Sequence, residues 1–114
     1  MHTAISTHAL ALPGTYMTEQ WGGMHVFKVG DRKTFKMFAI LPPGEPRVCV
    51  KTPSMEIAQM LIDAEVAERE VHLPRGGWVN LLTEVMTPDD VLDRVTESYR
   101  LVKKGLPKRL RDEL

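Results

Sequence analysis

The chain has 114 residues, 43% of them hydrophobic, and its 15 Lys+Arg are balanced by 15 Asp+Glu. That length and apolar content fit one compact domain, residues 1–114, with its own core, and they exclude a disordered chain. Zero net charge excludes the overall basicity usual in a dedicated nucleic-acid binder, and a single cysteine, Cys49, excludes an internal disulfide.

Taken in chain order, Ile5, Ala9 and Leu12 recur at helical spacing until Pro13-Gly14 stops the run, which predicts a short first helix. The same stretch has no basic leader, and its longest apolar run, Ala9 to Leu12, is too short for a signal core or a membrane span. With the lone cysteine, this gives the expectation of a cytoplasmic protein with no membrane partner. Residues 24–29, after Gly22-Gly23, read as a strand, and Gly30-Asp31 as a turn. Residues 34–41, aromatic and aliphatic, read as a second strand. Pro42-Pro43-Gly44-Glu45-Pro46 is a turn by composition. In residues 47–51 the alternation is clean, with Val48 and Val50 on one side and Arg47, Cys49 and Lys51 on the other, as in a half-buried strand.

Thr52-Pro53 has the chemistry of a helix start, and Ile57, Leu61 and Ala64 mark the apolar stripe that follows. Residues 65–75 show no clear period, and a short edge strand around Glu70-Val71-His72 is the expectation there. Residues 78–82, after Gly76-Gly77, read as a strand. Thr87-Pro88-Asp89-Asp90 repeats the helix start with two acids where the helix dipole favours them, and Leu92, Val95, Tyr99 and Val102 supply one apolar face. Gly105 and Pro107 end this helix, leaving a basic tail with room for one more helical turn. The order helix, strands, helix, strands, helix predicts an α+β fold: an antiparallel sheet with helices packed on one face.

The chemistry of known catalytic centres is missing from the sequence. No glycine-rich phosphate loop, nucleophile elbow, or Cys or His pair at metal-ligand spacing occurs, so no catalytic residue, metal or cofactor is expected. Cys49, between two valines, reads as buried and inert. Asp89, Asp93 and Glu97 line up along the last helix and could hold a hard cation, although a solvated helix face explains them as well.

The zero net charge hides segregation. Residues 24–51 hold six basic and two acidic side chains, and residues 103–111 hold five basic and no acidic ones. Lys28, Arg32, Lys33 and Lys36 flank one hairpin turn, Arg47 and Lys51 lie on the next strand, and Lys103, Lys104, Lys108, Arg109 and Arg111 form the tail. A basic hairpin can follow a phosphate backbone and release counterions. Lysines near turns and sheet edges equally serve to keep edges from aggregating.

The segments ALPG (11–14), EQWG (19–22), VFKVGDRKTFKMFAIL (26–41), RVCVKTPS (47–54), RGGWVNL (75–81) and ESYRLVKKGLPKRLRDEL (97–114) together resemble the MmcQ/YjbR-like family in order and spacing. The resemblance implies a frataxin (CyaY)-like fold and a DNA-binding "double wing" of hairpins. On that reading the wing residues are Lys28, Arg32, Lys33 and Lys36, with Arg75 on the later strand pair. The turn Asp31-Arg32-Lys33-Thr34 departs from the shorter Gly-Lys turn of many relatives. Frataxin-like iron delivery from an acidic first helix is disfavoured, because the first eighteen residues hold no acid.

Three readings follow. The first is a module binding DNA weakly and with little sequence preference through Lys28, Arg32, Lys33, Lys36, Arg47, Lys51, Arg75, Lys104, Lys108 and Arg109. The second is a protein-interaction or adaptor domain with an exposed apolar patch around Trp21 or Phe38. The third is an enzyme with a pocket that gathers groups such as His72, Arg75 and Asn80. A monomer is the default expectation.

Overall fold

In the computed structural model, which describes residues 1–114, six antiparallel strands form one sheet. The chain runs α1 (His2–Leu10), β1 (Thr15–Gln20), β2 (Met24–Gly30), β3 (Phe35–Leu41), β4 (Arg47–Lys51), α2 (Met55–Asp63), β5 (Ala67–Arg69), β6 (Trp78–Leu82), α3 (Pro88–Lys103) and α4 (Lys108–Asp112). The strand order is β1-β2-β3-β4-β6-β5, so β1 and β5 are the edges. No helix is long and apolar enough to cross a membrane.

Alternation sorts the sheet into two faces. Phe27, Val29, Ala39, Leu41, Val48, Val50, Val79 and Leu81 point into the core. Ile5 and Ala9 of α1, Ala58 of α2, Val91, Val95, Tyr99 and Val102 of α3, and Leu110 of α4 meet them there. All four helices therefore cover one face. Opposite Phe27 and Lys28 of β2 the register slips, so Phe38 on β3 is an extra residue. Phe38 and its neighbour Ala39 are both fully buried in the core. A bulge of this kind lets one strand contribute two successive side chains to the same face.

Two devices fix the helix layer. The Ser98 hydroxyl, fully buried on α3, donates to the Phe38 carbonyl at 2.6 Å and accepts from the Lys51 N–H at 2.9 Å. Tyr99 donates its phenol to the Pro13 carbonyl at 2.6 Å, tying α3 to the end of the first helix. Burial raises the Tyr99 pKa.

The differences from the sequence reading are local. The strand β1 was not expected: TYMTEQ lacks an apolar alternation, being an edge strand half-exposed on alternate residues. The helix α2 starts two residues later than the Thr-Pro pair suggests. Ser54 is its N-cap and accepts from the Ile57 N–H at 3.1 Å. Thr52 is buried, and its single hydroxyl proton is shared between the carbonyls of Gly77 (2.7 Å) and Ser54 (2.9 Å). Gly77 has φ +74°, and a Cβ there would stand 2.5 Å from Thr52 Oγ1, so only glycine fits this junction. The edge strand expected around Glu70 is Ala67–Arg69, just before it.

Candidate functional site: the helix-free groove and the basic end

The face of the sheet away from the helices carries Met24 of β2, Met37 and Ile40 of β3, Arg47 and Cys49 of β4, and Asn80 of β6. These residues line a groove of about 590 Å³. Its walls are Trp21 in the β1–β2 turn and the segment from Arg69 to Leu73 at the end of β5. Trp21 is 63% exposed and has φ +49°, a left-handed backbone that is costly for a residue with a Cβ.

One rim of the groove is a closed polar network. Arg47 Nη1 donates to Asn80 Oδ1 at 2.9 Å, and Asn80 Nδ2 donates to Glu70 Oε2 at 2.9 Å. Glu70 Oε1 accepts from the His72 N–H at 3.1 Å and lies 3.1 Å from His72 Nδ1. Arg47 Nη1 is also 3.9 Å from Glu70 Oε2, and Arg47 Nε donates to Glu45 Oε1 at 3.3 Å. Burial pushes the Glu70 carboxyl up, but the hydrogen bonds from Asn80 and His72 outweigh it and hold the group below the usual range. Cys49, at the floor, is pushed up to about 12, chiefly by burial, with Glu70 adding to the rise and Arg47 opposing it. Its thiol is therefore protonated and a poor nucleophile at neutral pH.

Along the same face, towards the β2–β3 turn, Lys28 is 91% buried by its neighbours, its ammonium 4.3 Å above the Phe35 ring. Phe35 meets Tyr16 edge to face at 6.5 Å, and the Arg32 guanidinium lies 4.1 Å over the Tyr16 ring. The turn itself is closed by hydrogen bonds. The Asp31 carboxylate accepts from the Thr34 N–H at 2.6 Å and the Lys33 N–H at 2.9 Å, and Tyr16 donates to the Asp31 carbonyl at 2.9 Å. Those backbone bonds, with Arg109 and Lys33 nearby, lower the Asp31 pKa. The four-residue turn thus closes as an Asx turn and needs no Gly-Lys pair.

The structure separates the basic residues singled out in the sequence into three settings. Lys28 and Arg47 are held on the helix-free face, over Phe35 and within the groove network. Lys51 is half-buried beside Gly76 and Trp78, and Arg75 is exposed in the segment before β6, outside the groove lining. Arg32, Lys33, Lys36, Lys104, Lys108 and Arg109 gather at one end of the molecule. There Arg109 Nη1 lies 3.8 Å from Asp31 Oδ2, and the Lys36 side chain passes beside Gly105. Lys103, Lys104, Arg100 and Arg111 line a shallow cavity of about 330 Å³ with Glu97 at that end. Lys108 is paired with Asp112 at 2.8 Å. The helix α3 itself is polar along its axis, with Asp89 and Asp90 in its first turn and Arg100 and Lys103 in its last.

Of the pocket trio, His72 and Asn80 do converge, through Glu70, while Arg47 occupies the place expected for Arg75. Glu70 escaped the sequence reading because its stretch lacks any period. Asp93 and Glu97 line a separate cleft of about 770 Å³ between α2 and α3, with Arg94 and Arg100 among them. No three His, Cys, Asp or Glu side chains come together as a metal site.

Comparison with known proteins agrees with this architecture. No curated protein matches. A crystal structure of the Deinococcus radiodurans protein DR2400, with the family-model domain DUF419, superposes with a TM-score of 0.83 at 26% identity, over 96% of this chain and 83% of that one. The family model described as YjbR matches residues 10–101. That span runs from the end of α1 through most of α3, and the chain belongs to the YjbR family.

Proposed function

We propose that the chain is a non-catalytic binding module that holds nucleic acid through phosphate contacts from its basic end. The observation that carries this is the meeting of two basic segments more than 60 residues apart in sequence: Arg109 beside Asp31, and Lys36 beside Gly105. Arg32, Lys33, Lys36, Lys103, Lys104, Lys108, Arg109 and Arg111 then share one end, a density of positive charge that zero net charge conceals. Contacts to phosphate carry no sequence information, so the binding is weak and largely non-specific.

Fluorescence anisotropy with labelled duplex and single-stranded DNA tests this, run at low and near-physiological salt. The variant Lys33→Glu, Lys36→Glu, Lys104→Glu leaves the Arg109–Asp31 pair intact. Affinity that falls with salt and is lost in the variant supports the reading. Absence of binding at low salt, or equal binding by the variant, overturns it. The adaptor reading rests on the exposed Trp21 and the groove beside it. The directional polar rim of that groove favours a smaller occupant.

A further inference from the structure

We propose that the groove on the helix-free face is a binding site for a small apolar carboxylate, anchored by Arg47. Its volume of about 590 Å³ is that of a small-molecule site rather than a surface dimple. Trp21, Met24, Met37, Ile40, Val71 and Leu73 supply an apolar bed for a flat hydrocarbon body. Methionines adapt to the outline of such a body and make favourable sulfur–ring contacts.

The charge of the ligand follows from which polar groups are already occupied. The groove holds one carboxylate, Glu70, and one guanidinium, Arg47, 3.9 Å apart. Both Glu70 oxygens are engaged, Oε2 by Asn80 and Oε1 by His72, so the carboxylate has little left to offer a cationic ligand. Asn80 is oriented at both ends, by Arg47 and by Glu70. Cys49 is neutral. Arg47 uses Nε for Glu45 and Nη1 for Asn80, with Glu70 Oε2 3.9 Å from the same Nη1, which leaves Nη2 of this groove-lining residue without a partner. Arg69 gives Nη2 to Gln59 of α2, on the helix-covered face, so its charge is spent away from the groove. The unspent polar capacity in the groove is therefore that of a guanidinium donor above an apolar floor, and a guanidinium held in place by its partners is preorganised for a carboxylate.

The proposal is tested by isothermal titration and protein-observed amide NMR, with naphthoate as the probe and naphthalenemethanol as its uncharged counterpart. The expected result is saturable binding of naphthoate with shifts at Trp21, Ile40 and Asn80. The alcohol should bind about tenfold or more weaker, the usual worth of a hydrogen bond to a charged group. Arg47→Gln should remove the preference for the acid. Trp21→Gly, at an exposed position whose backbone suits glycine, should weaken both probes and keeps the test sound if Arg47→Gln fails to fold. The Lys33→Glu, Lys36→Glu, Lys104→Glu variant should bind naphthoate as the parent does, which separates this site from the basic end. Equal affinity for acid and alcohol, shifts confined to the basic end, or no binding at millimolar probe overturns the proposal.

Discussion

Ser98 on α3 donates its hydroxyl to the carbonyl of Phe38, the bulged residue of β3, at 2.6 Å. The bulge takes Phe38 out of the normal ladder, and the same hydroxyl accepts the N–H of Lys51 on the neighbouring strand. One side chain thus bridges β3 and β4 at the position next to their Ala39–Val50 pair, beside the bulge. Ser98→Ala leaves a buried carbonyl and a buried N–H without partners, and should cost about 1–3 kcal/mol. Urea unfolding checks this, with a lower midpoint and an unchanged slope.

Glu70 makes stability depend on acid pH. Its folded pKa is held below the ordinary value of 4.5, so its contribution is fully present above that value and is lost as pH falls through the lower folded value. Denaturation midpoints measured from pH 6 down to pH 3 should therefore fall, and the fall should be shallower in Glu70→Gln.

Cys49 should resist thiol reagents in the native state. Its thiol is buried and pushed up to about 12. Labelling with a disulfide reagent at pH 8 should follow the unfolding rate, and should become immediate in denaturant.

Gly77→Ala should destabilise the link between β4 and β6. The added methyl meets Thr52 Oγ1 at 2.5 Å and the Ser54 carbonyl at 2.9 Å, on a backbone with φ +74°. A loss of about 1–3 kcal/mol is expected from the strained backbone alone, read by thermal unfolding, whereas Gly44→Ala, where a Cβ meets nothing within 4 Å, should cost less.

Much of the fold is legible in the sequence because burial alternates there. β4 and β6 run from Arg47 to Lys51 and from Trp78 to Leu82, as their patterns predict, and Thr87 caps α3 as its Thr-Pro-Asp-Asp start implies. The edges are harder. β1 pairs on one side only and buries little, so nothing in Tyr16 to Gln20 forces a period of two. The candidate sites depend on pairings across the sheet. Arg47 stands out as one more strand cation until its partner Asn80, 33 residues away, turns it into part of a network with Glu70. The neighbourhood of Arg109 and Asp31 likewise exists only once α4 folds back beside the β2–β3 turn.

The arrangement of charge along α3 has a practical consequence. Acids at its first turn and cations at its last are separated by about 15–21 Å, at 1.5 Å per residue. At neutral pH the protein should drift little in an electric field, having no net charge. It should nevertheless stick to a cation-exchange resin at low ionic strength, turning one pole to the beads, and elute early in a shallow salt gradient.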